Sequence, residues 1–389
     1  MKELVFFFDQ PPKVGKGCFN AISKVWQEEV VYVYLNGFNE TRKTTNWDDG
    51  DYGIATIIDL GKSRSVENTI SHLFEKYSDA VFVLCGFKSK IVGLLDKYIL
   101  TNKYKFICFA ERPGVYGVWW KKLLKTVYVP LSEIHIAHKY RKYVKAFLPL
   151  GEKGVQSYHK YGWDEDTLFP FMYDPVNYIV ESDICYPRNP MKLLYVGRFS
   201  KYTKGTDTLK KAINLLLDID EKFHLTLVGG YGDMRDEMLS WVESRSNVEF
   251  LGVWDSKCVG PNMREYDICI VPSKFDGWNL LVNESLRANI GTIVTDEAVS
   301  DEVIKWSQSG VVVKSNDSKA LANAIRNAVN NPDLVFQWKK NASAFSRQID
   351  SNTVAKYFIS IVRYTFCEGM ENRPECPWLM TPADFDINA

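Results

Sequence analysis

The stretch from residue 268 to residue 284 reads ICIVPSKFDGWNLLVNE, the order of a strand, a loop and the start of a helix. The apolar run 268–271 is typical of a buried strand, and Pro272-Ser273 ends it. Two carboxylates follow, Asp276 and Glu284, with seven residues between them. A carboxylate accepts strong hydrogen bonds from neighbouring hydroxyls, so this pair suits a hydroxyl-rich ligand. Taken alone, the pair also fits a capped loop and a solvated helix residue.

Length and composition are those of a globular enzyme with two domains. The chain has 389 residues, of which 46% are hydrophobic and 25% charged, and its net charge is zero. The zero net charge argues against a nucleic acid as partner. No apolar run reaches the ~18 residues that a membrane-spanning helix needs, and the first residues do not form a secretory signal. The eight cysteines include no CxxC pair, which predicts reduced thiols in a cytoplasmic protein.

Outward from residue 268, short apolar runs recur through the second half of the chain, at 193–196, 225–228, 248–251, 268–271, 292–294 and 310–313. A similar series occupies the first half, at 4–8, 30–35, 54–58, 80–84 and 105–109, with a helix expected near 20–28. The runs are apolar throughout and do not alternate, which predicts parallel strands covered by helices on both faces. The polar stretch 41–51 is expected to be a surface loop.

The two series predict an α/β protein made of two doubly wound Rossmann-like domains facing a central cleft. Residues 169–190 contain four prolines and a polar segment, and they are the best candidate for the linker. We therefore expect an N-terminal domain over 1–180 and a C-terminal domain over 181–350. The last segment, 351–389, is expected to hold a helix and a tail that return to the N-terminal domain. In such folds ligands bind at the carboxyl ends of the strands.

A second candidate motif follows the run 193–196. Gly197 allows the chain to turn, and the cations Arg198 and Lys204 lie six residues apart ahead of the next helix. Two cations beside a helix N-terminus are an environment that a diphosphate needs. On their own they also fit solvated loop residues.

Together, Gly-Arg-x5-Lys-Gly and the carboxylate pair about 70 residues later resemble retaining nucleotide-sugar glycosyltransferases of the GT-B fold, glycosyltransferase family four in particular. Leu227-Val228-Gly229-Gly230, the run 248–252 and Tyr266-Asp267 with the run 271–273 also look like that family. The resemblance is strong over 192–330 and only topological over the first 180 residues.

The resemblance implies a role for each matching residue. Arg198 and Lys204 would bind the donor diphosphate and neutralise the leaving nucleotide, a contribution that typically changes rates ~10²–10³-fold per group. Asp276 would contact hydroxyls of the transferred sugar, and Glu284 would accept hydrogen bonds from the ribose. The remaining donor contacts would come from the backbone, at Gly197, at Asn279, Leu280 and Leu281 for the phosphate, and at Gly252 and Val253 for the base.

The implied reaction moves a hexose-type sugar from a UDP- or GDP-linked donor to a glycan or lipid-linked acceptor, with retention of configuration and with neither metal nor cofactor. Two same-donor alternatives stay open, a nucleotide-sugar epimerase and a non-catalytic nucleotide-sugar-binding subunit. The acidic clusters at 48–51 and 218–220 are interpreted as surface charge.

Two departures from the family pattern concern the reacting sugar. The family usually has Glu at the first carboxylate position, and this chain has the shorter Asp276. The family often has a histidine after an N-domain strand, and here the strand 106–109 leads to Glu111. We hypothesise that Glu111 lies near the acceptor, the alternative being a salt bridge with Arg112. Gly15 and Gly17, after the first strand, would allow close backbone approach to a phosphate or sugar.

Aromatic and basic residues are interleaved at 119–125 and 138–145, and the span 121–145 holds seven Lys or Arg against one acid. Such a segment can rest on an anionic membrane surface, which would place the enzyme at the inner face of the cell membrane. The alternative is an ordinary solvated face with Trp119 and Trp120 in the core.

Overall fold

The computed structural model describes residues 2–11, 15–37, 53–174, 183–255, 258–367 and 372–380. The chain divides into two compact units. The first unit comprises Met1–Pro113, Thr126–Asn177 and Asp350–Met380. The second comprises Gly114–Lys125, Tyr178–Ile349 and Thr381–Ala389. The predicted surface loop at 41–51 and the acidic cluster at 48–51 lie outside the described residues.

A six-stranded parallel sheet forms the centre of the first unit, in the order β3-β2-β1-β4-β5-β6. Its strands are β1 (Leu4–Phe8), β2 (Val30–Tyr34), β3 (Thr56–Asp59), β4 (Val81–Cys85), β5 (Phe106–Ala110) and β6 (Val144–Pro149). Every residue of β1 and β5 is buried, as their continuous apolar sequence predicts. The third strand begins later than predicted, and Ile54 lies before it as an exposed residue.

Helices pack on both faces of this sheet, and they are α1 (Lys16–Val25), α2 (Val66–Lys76), α3 (Lys90–Asn102), α4 (Trp119–Tyr140), α5 (Gly151–Lys160) and, from the end of the chain, α13 (Ser351–Phe366). The prediction of a first helix at 20–28 was wrong by one turn, because α1 already begins at Lys16. The α13 ring of Phe358 contacts Phe6 and Phe109, which explains why residues 350–380 belong to the first unit.

The first half of α4 is exposed. Trp119 and Trp120 expose 79% and 48% of their surface, so the alternative that places both in the core was wrong. In the second half Glu133 is buried and pairs with Lys88 at 2.6 Å, which anchors that half to the first unit. Among the described residues no helix is long and apolar enough to cross a membrane.

The second unit repeats the architecture, with a six-stranded parallel sheet in the order β12-β11-β10-β7-β8-β9. Its strands are β7 (Met191–Gly197), β8 (Phe223–Gly229), β9 (Val248–Phe250), β10 (Ile268–Val271), β11 (Gly291–Thr295) and β12 (Gly310–Val313). Its helices are α6 (Thr206–Asn214), α7 (Arg235–Glu243), α8 (Val259–Met263), α9 (Leu280–Arg287), α10 (Asp301–Ser307), α11 (Ser318–Asn330) and α12 (Pro332–Phe345).

A buried ion cluster fixes β7 beside β10 at the amino ends of these strands. Asp267, fully buried, accepts hydrogen bonds from Lys339 at 2.8 Å and from the backbone N–H of Lys192 at 3.0 Å. The backbone and the guanidinium of Arg188 donate to the same carboxylate, both at 3.2 Å. A buried charge is tolerated when paired and hydrogen-bonded in this way, and the cluster sets the pairing of the two strands.

Candidate functional site

Apart from Gly252 and Val253, the predicted donor-binding residues of the second unit lie after the carboxyl ends of β7 and β10. These two strands are neighbours, although β8 and β9 come between them in sequence. From this point β8 and β9 extend the sheet on one side, and β11 and β12 extend it on the other. Ligands of open α/β sheets bind at such a switch point.

Buried side chains hold the segment that follows β7 through hydrogen bonds to its backbone. The buried Tyr195 hydroxyl donates to the carbonyl of Arg198 at 2.7 Å, and the Thr206 hydroxyl accepts from the backbone N–H of Ser200 at 3.0 Å. Burial raises the pKa of the Tyr195 phenol, which therefore stays a neutral donor. The Arg198 side chain itself is exposed, and no salt bridge holds it among the described residues. Its backbone is fixed while its guanidinium is available.

Gly205 brings this segment against the one that follows β10. Its φ of +64° is in the left-handed region, and a Cβ there would lie 1.9 Å from the carbonyl oxygen of Pro272. Only glycine fits both conditions. The close approach also places the preceding residue, Lys204, beside Asp276, with Nζ and Oδ2 2.6 Å apart.

Asp276 is held by two further side chains. Its Oδ2 accepts from Asn279 Nδ2 at 2.8 Å and from Ser273 Oγ at 3.1 Å. Its backbone N–H donates to the carbonyl of Glu297 at 3.1 Å. The carboxylate is therefore fixed in place, and the cation predicted for the phosphate and the acid predicted for the sugar are in direct contact.

The predicted backbone amides lie at a helix N-terminus, because α9 begins at Leu280 with Asn279 as its N-cap. The Asn279 Oδ1 accepts from the backbone N–H of Leu281 at 3.1 Å. The positive end of the α9 dipole thus points into the same site as Lys204. Leu280 and Leu281 are half-buried there.

Glu284 lies one turn further along α9 and is half-buried. Burial and then the charge of Glu284 raise the pKa of the Cys269 thiol, so the carboxylate lies close enough to β10 for its charge to act on this thiol. The simple alternative of a fully solvated helix residue does not describe it.

Gly252 and Val253 follow β9, which is separated from β10 by β7 and β8. The backbone N–H of Gly229, at the end of β8, donates to the carbonyl of Gly252 at 2.7 Å. Gly197, Gly229 and Gly252 consequently form a row along the carboxyl edge of β7, β8 and β9. Val253 is exposed beside this row.

Three predicted residues, Gly15, Gly17 and Glu111, belong to the first unit. Gly15 precedes α1, and a Cβ there would lie 2.6 Å from the Phe19 ring, so a larger residue would require that ring to move. Gly17 is buried within α1. Glu111 directly follows β5 and is exposed, while its carbonyl accepts from the Tyr158 hydroxyl at 2.8 Å.

Two contributions were not predicted, the side chains of Ser273 and Asn279. A sequence signal exists for the second, because Asn directly before an apolar helical run is a typical N-cap. Ser273 gave no comparable signal, since its role depends on where Asp276 folds back. Among the described residues no group of three His, Cys, Asp or Glu could hold a metal ion.

Solved structures with this architecture are GT-B glycosyltransferases. The chain matches HepE of Anabaena in complex with UDP, with a TM-score of 0.70 and 13% identity over 94% of this chain and 100% of that one. It also matches the lipopolysaccharide glycosyltransferase WaaG, with a TM-score of 0.58 and 16% identity over 92% and 99% of the chains. Sucrose-phosphate synthase of Thermosynechococcus elongatus gives a TM-score of 0.66 and 17% identity over 95% and 100%. The predicted fold class is confirmed.

Sequence comparison points to the same class of protein. Residues 190–331 match the model of the family Glycosyl transferases group 1. A phosphatidyl-myo-inositol mannosyltransferase of Mycobacterium leprae is 24% identical over 188 residues, 47% of this chain and 49% of the relative. The chain thus spans about half of that relative. An uncharacterized 41.2 kDa protein of the Klebsiella pneumoniae cps region is 26% identical over 72% of this chain and 75% of its own length. The predicted resemblance is confirmed.

Proposed function

We propose that this protein is a glycosyltransferase that moves a hexose from a nucleotide diphosphate to an acceptor. The observation that carries the proposal is the contact between Lys204 and Asp276, made at the switch point of a domain that matches group 1 glycosyl transferases. A cation, a carboxylate and a helix N-terminus converge there. A nucleotide sugar presents the complementary groups, a diphosphate next to sugar hydroxyls.

On the phosphate side, Lys204 and Arg198 neutralise the diphosphate that leaves when the sugar–phosphate bond breaks. The exposed Arg198 reaches an incoming phosphate without first breaking an ion pair. Lys204 must share its ammonium between Asp276 and the phosphate, which three N–H donors permit. Preorganised cations of this kind usually supply the largest catalytic term.

On the hydroxyl side, Asp276 accepts from hydroxyls of the transferred sugar and Glu284 from the ribose. The sugar departs as an oxocarbenium-like species. The acceptor attacks the face that the diphosphate leaves, and a phosphate oxygen takes its proton, so the configuration is retained. In this scheme both carboxylates bind hydroxyl groups of the donor, and neither acts as a nucleophile. The scheme requires no metal and no cofactor.

A donor panel tests the proposal. UDP- and GDP-linked hexoses are compared by thermal shift, and UDP-glucose comes first because HepE has been solved with it. A donor at 100 times its Kd adds ~2.7 kcal/mol of stability. Nucleotide release that Lys204→Ala and Glu284→Ala both abolish supports the transferase. Epimerised donor without acceptor indicates the epimerase, and binding without release indicates the non-catalytic subunit.

The acceptor is a glycan or a lipid-linked saccharide, and we assign Glu111 to its binding. The exposed position of Glu111 directly after β5 supports this assignment. Glu111→Gln is expected to lower transfer to acceptor while leaving the Kd for UDP unchanged. Unchanged transfer would remove Glu111 from the acceptor site.

The proposal includes peripheral contact between α4 and an anionic membrane at the cytoplasmic face. Six apolar or aromatic side chains of α4 expose 63–79% of their surface, and they are Trp119, Leu123, Leu124, Val127, Tyr128 and Leu131. Lys121 lies over the Trp120 ring at 5.2 Å and Lys125 over the Tyr116 ring at 4.2 Å, so cations accompany the aromatics. The only acid in 121–145, Glu133, is buried against Lys88. The exposed face is therefore apolar and cationic, which complements an anionic bilayer.

Vesicle flotation tests this contact. We expect the protein to float with anionic vesicles at low salt and to remain below with zwitterionic ones. The double variant Leu123→Ser/Leu124→Ser should not float, whereas Trp306→Ala, at an exposed tryptophan of α10, should float like the wild type. If the wild type does not float but forms a dimer, and Leu123→Ser/Leu124→Ser no longer dimerises, the face binds a second copy of the chain.

A further inference from the structure

We infer that Asn279 is a positioning residue that keeps Asp276 oriented toward the donor sugar while Lys204 engages the diphosphate. The inference rests on the proposed function and adds a side-chain role to a residue whose backbone alone was assigned. It is based on two hydrogen bonds made by the side-chain amide of Asn279. Asn279 Oδ1 accepts from Leu281 N–H at 3.1 Å, and Asn279 Nδ2 donates to Asp276 Oδ2 at 2.8 Å.

The two contacts determine the orientation of the Asn279 amide. The reversed amide would set Oδ1 against the Asp276 carboxylate and Nδ2 against the Leu281 N–H, and both contacts would be lost. Asn279 is only 4% exposed, so its side chain has little freedom to turn away. The amide thus joins Asp276 rigidly to the first turn of α9.

The three donors to Asp276 Oδ2 differ in burial. The side chain of Lys204 is 23% exposed, and the proposed function assigns it to the diphosphate. Asn279 and Ser273 are buried, and Asn279 Nδ2 also lies 3.4 Å from Ser273 Oγ. When Lys204 turns to a phosphate, the buried pair still holds Asp276 in place. A carboxylate held only by Lys204 would follow the ammonium and leave the sugar.

A double-mutant cycle tests the role. Glycine replaces an N-cap asparagine at little cost to the helix, so Asn279→Gly removes the donor to Asp276 and largely spares α9. The measurements are nucleotide release, the Kd for UDP and the Kd for UDP-glucose. If the donor panel shows that the protein binds GDP-linked hexoses, GDP and the GDP-linked hexose replace them. Asp317→Gly is the matched control, because Asp317 caps α11 in the same unit with bonds to Lys319 and Ala320 N–H.

We expect Asn279→Gly to lower kcat by about 10- to 100-fold, the usual effect of a hydrogen bond to a charged group. The Kd ratio, defined as the Kd for UDP divided by the Kd for UDP-glucose, should fall by the same factor. The Kd for UDP should stay within about threefold, since UDP lacks the transferred hexose that Asp276 contacts. Asp276→Asn should lower the same ratio, and the double variant should be no worse than Asp276→Asn.

Additive losses in the double variant, or equal effects of Asn279→Gly and Asp317→Gly, would overturn the inference while leaving the proposed function intact. A wild-type protein that binds neither UDP nor GDP would overturn both the inference and the proposed function. A lower unfolding midpoint with an unchanged Kd ratio would reduce Asn279 to a helix cap.

Discussion

The two units have the same strand order, yet the residue that follows the first strand carries opposite charge in the two. In the second unit the residue after the first strand is Arg198, and in the first unit the residue after the first strand is Asp9. The fourth strand of each sheet is followed by a helix, α9 in the second unit and α3 in the first. The equivalent positions of one topology thus hold a cation in one unit and an anion in the other.

The consequence appears at the helix N-termini. Asp9 accepts hydrogen bonds from the backbone N–H groups of Lys90 and Ile91 at 3.0 and 2.8 Å. The positive end of α3 is therefore already occupied by an anion of the protein itself. The N-terminus of α9 is capped by the neutral side chain of Asn279, and Arg198 and Lys204 follow the neighbouring strand β7. We call the edge at Asp9 the self-contained edge, and we call the edge at Arg198, to which the proposed function assigns phosphate binding, the receptive edge.

The largest predicted effect tests the receptive edge. Lys204→Ala should lower nucleotide release ~10²–10³-fold, because it removes a preorganised cation from the leaving diphosphate. Release is measured under saturating donor. Lys210→Ala is the matched control, since the Lys210 side chain is 24% exposed, pairs with Glu237 at 2.9 Å and lies on α6. Equal losses in both variants would show a general effect of removing a lysine.

A charge reversal makes the second unit resemble the first. Arg198→Asp places an anion after β7 and should weaken UDP binding by about 10- to 100-fold, since a charge-assisted contact is replaced by repulsion. Calorimetric titration with UDP measures it. Arg245→Asp has the same change of charge and lies before β9, at the opposite edge of the sheet, so it should leave the Kd within about threefold. Unchanged binding in Arg198→Asp would remove Arg198 from the site.

The reciprocal change tests the self-contained edge. Asp9→Ala leaves two amides of α3 without their carboxylate and should lower the free energy of unfolding of the first unit by about 1–2 kcal/mol. Urea denaturation followed by circular dichroism measures the loss. The Kd for UDP should stay the same, because this edge does not serve the phosphate. Weaker UDP binding at unchanged stability would contradict the distinction between the two edges.

Much of this frame could be predicted from the sequence, because strands buried on both faces are apolar throughout. The run 268–271 coincides with β10, and the run 193–196 lies within β7. The start of α1 was missed because Gly15 and Gly17 indicate a loop, whereas packing buries Gly17 inside the helix. Tertiary contacts outweighed the local preference there.

The candidate site was predicted as a set of residues but not as a network. The sequence placed Arg198 and Lys204 after the run 193–196 and Asp276 after the run 268–271, without showing that these two strands are neighbours. Their direct contact depends on how closely two loops approach at Gly205, and that distance is set by the folded chain. Asn279 entered the prediction only through its backbone, because the direction of a side chain that serves two partners cannot be read from spacing.

The smallest effect concerns surfaces on which the two units should not differ. Each has an exposed ion pair, Glu67 with Lys97 in the first and Asp218 with Arg326 in the second. The hydrogen bond from Lys97 lowers the pKa of Glu67, and the one from Arg326 lowers the pKa of Asp218. A lowered folded-state pKa stabilises the protein above the pKa of the unfolded chain, about 4, and the contribution is lost as the pH falls through the folded-state value.

Glu67→Gln and Asp218→Asn should therefore each lower the unfolding temperature slightly at pH 7, because exposed pairs contribute little. The difference from the wild type should shrink as the pH falls below 4, where both carboxylates take up protons in the wild type too. Scanning calorimetry over this pH range measures both variants. A large effect in only one unit would mean that the units differ in their surface charges as well, and the contrast would no longer be confined to the sheet edges at Asp9 and Arg198.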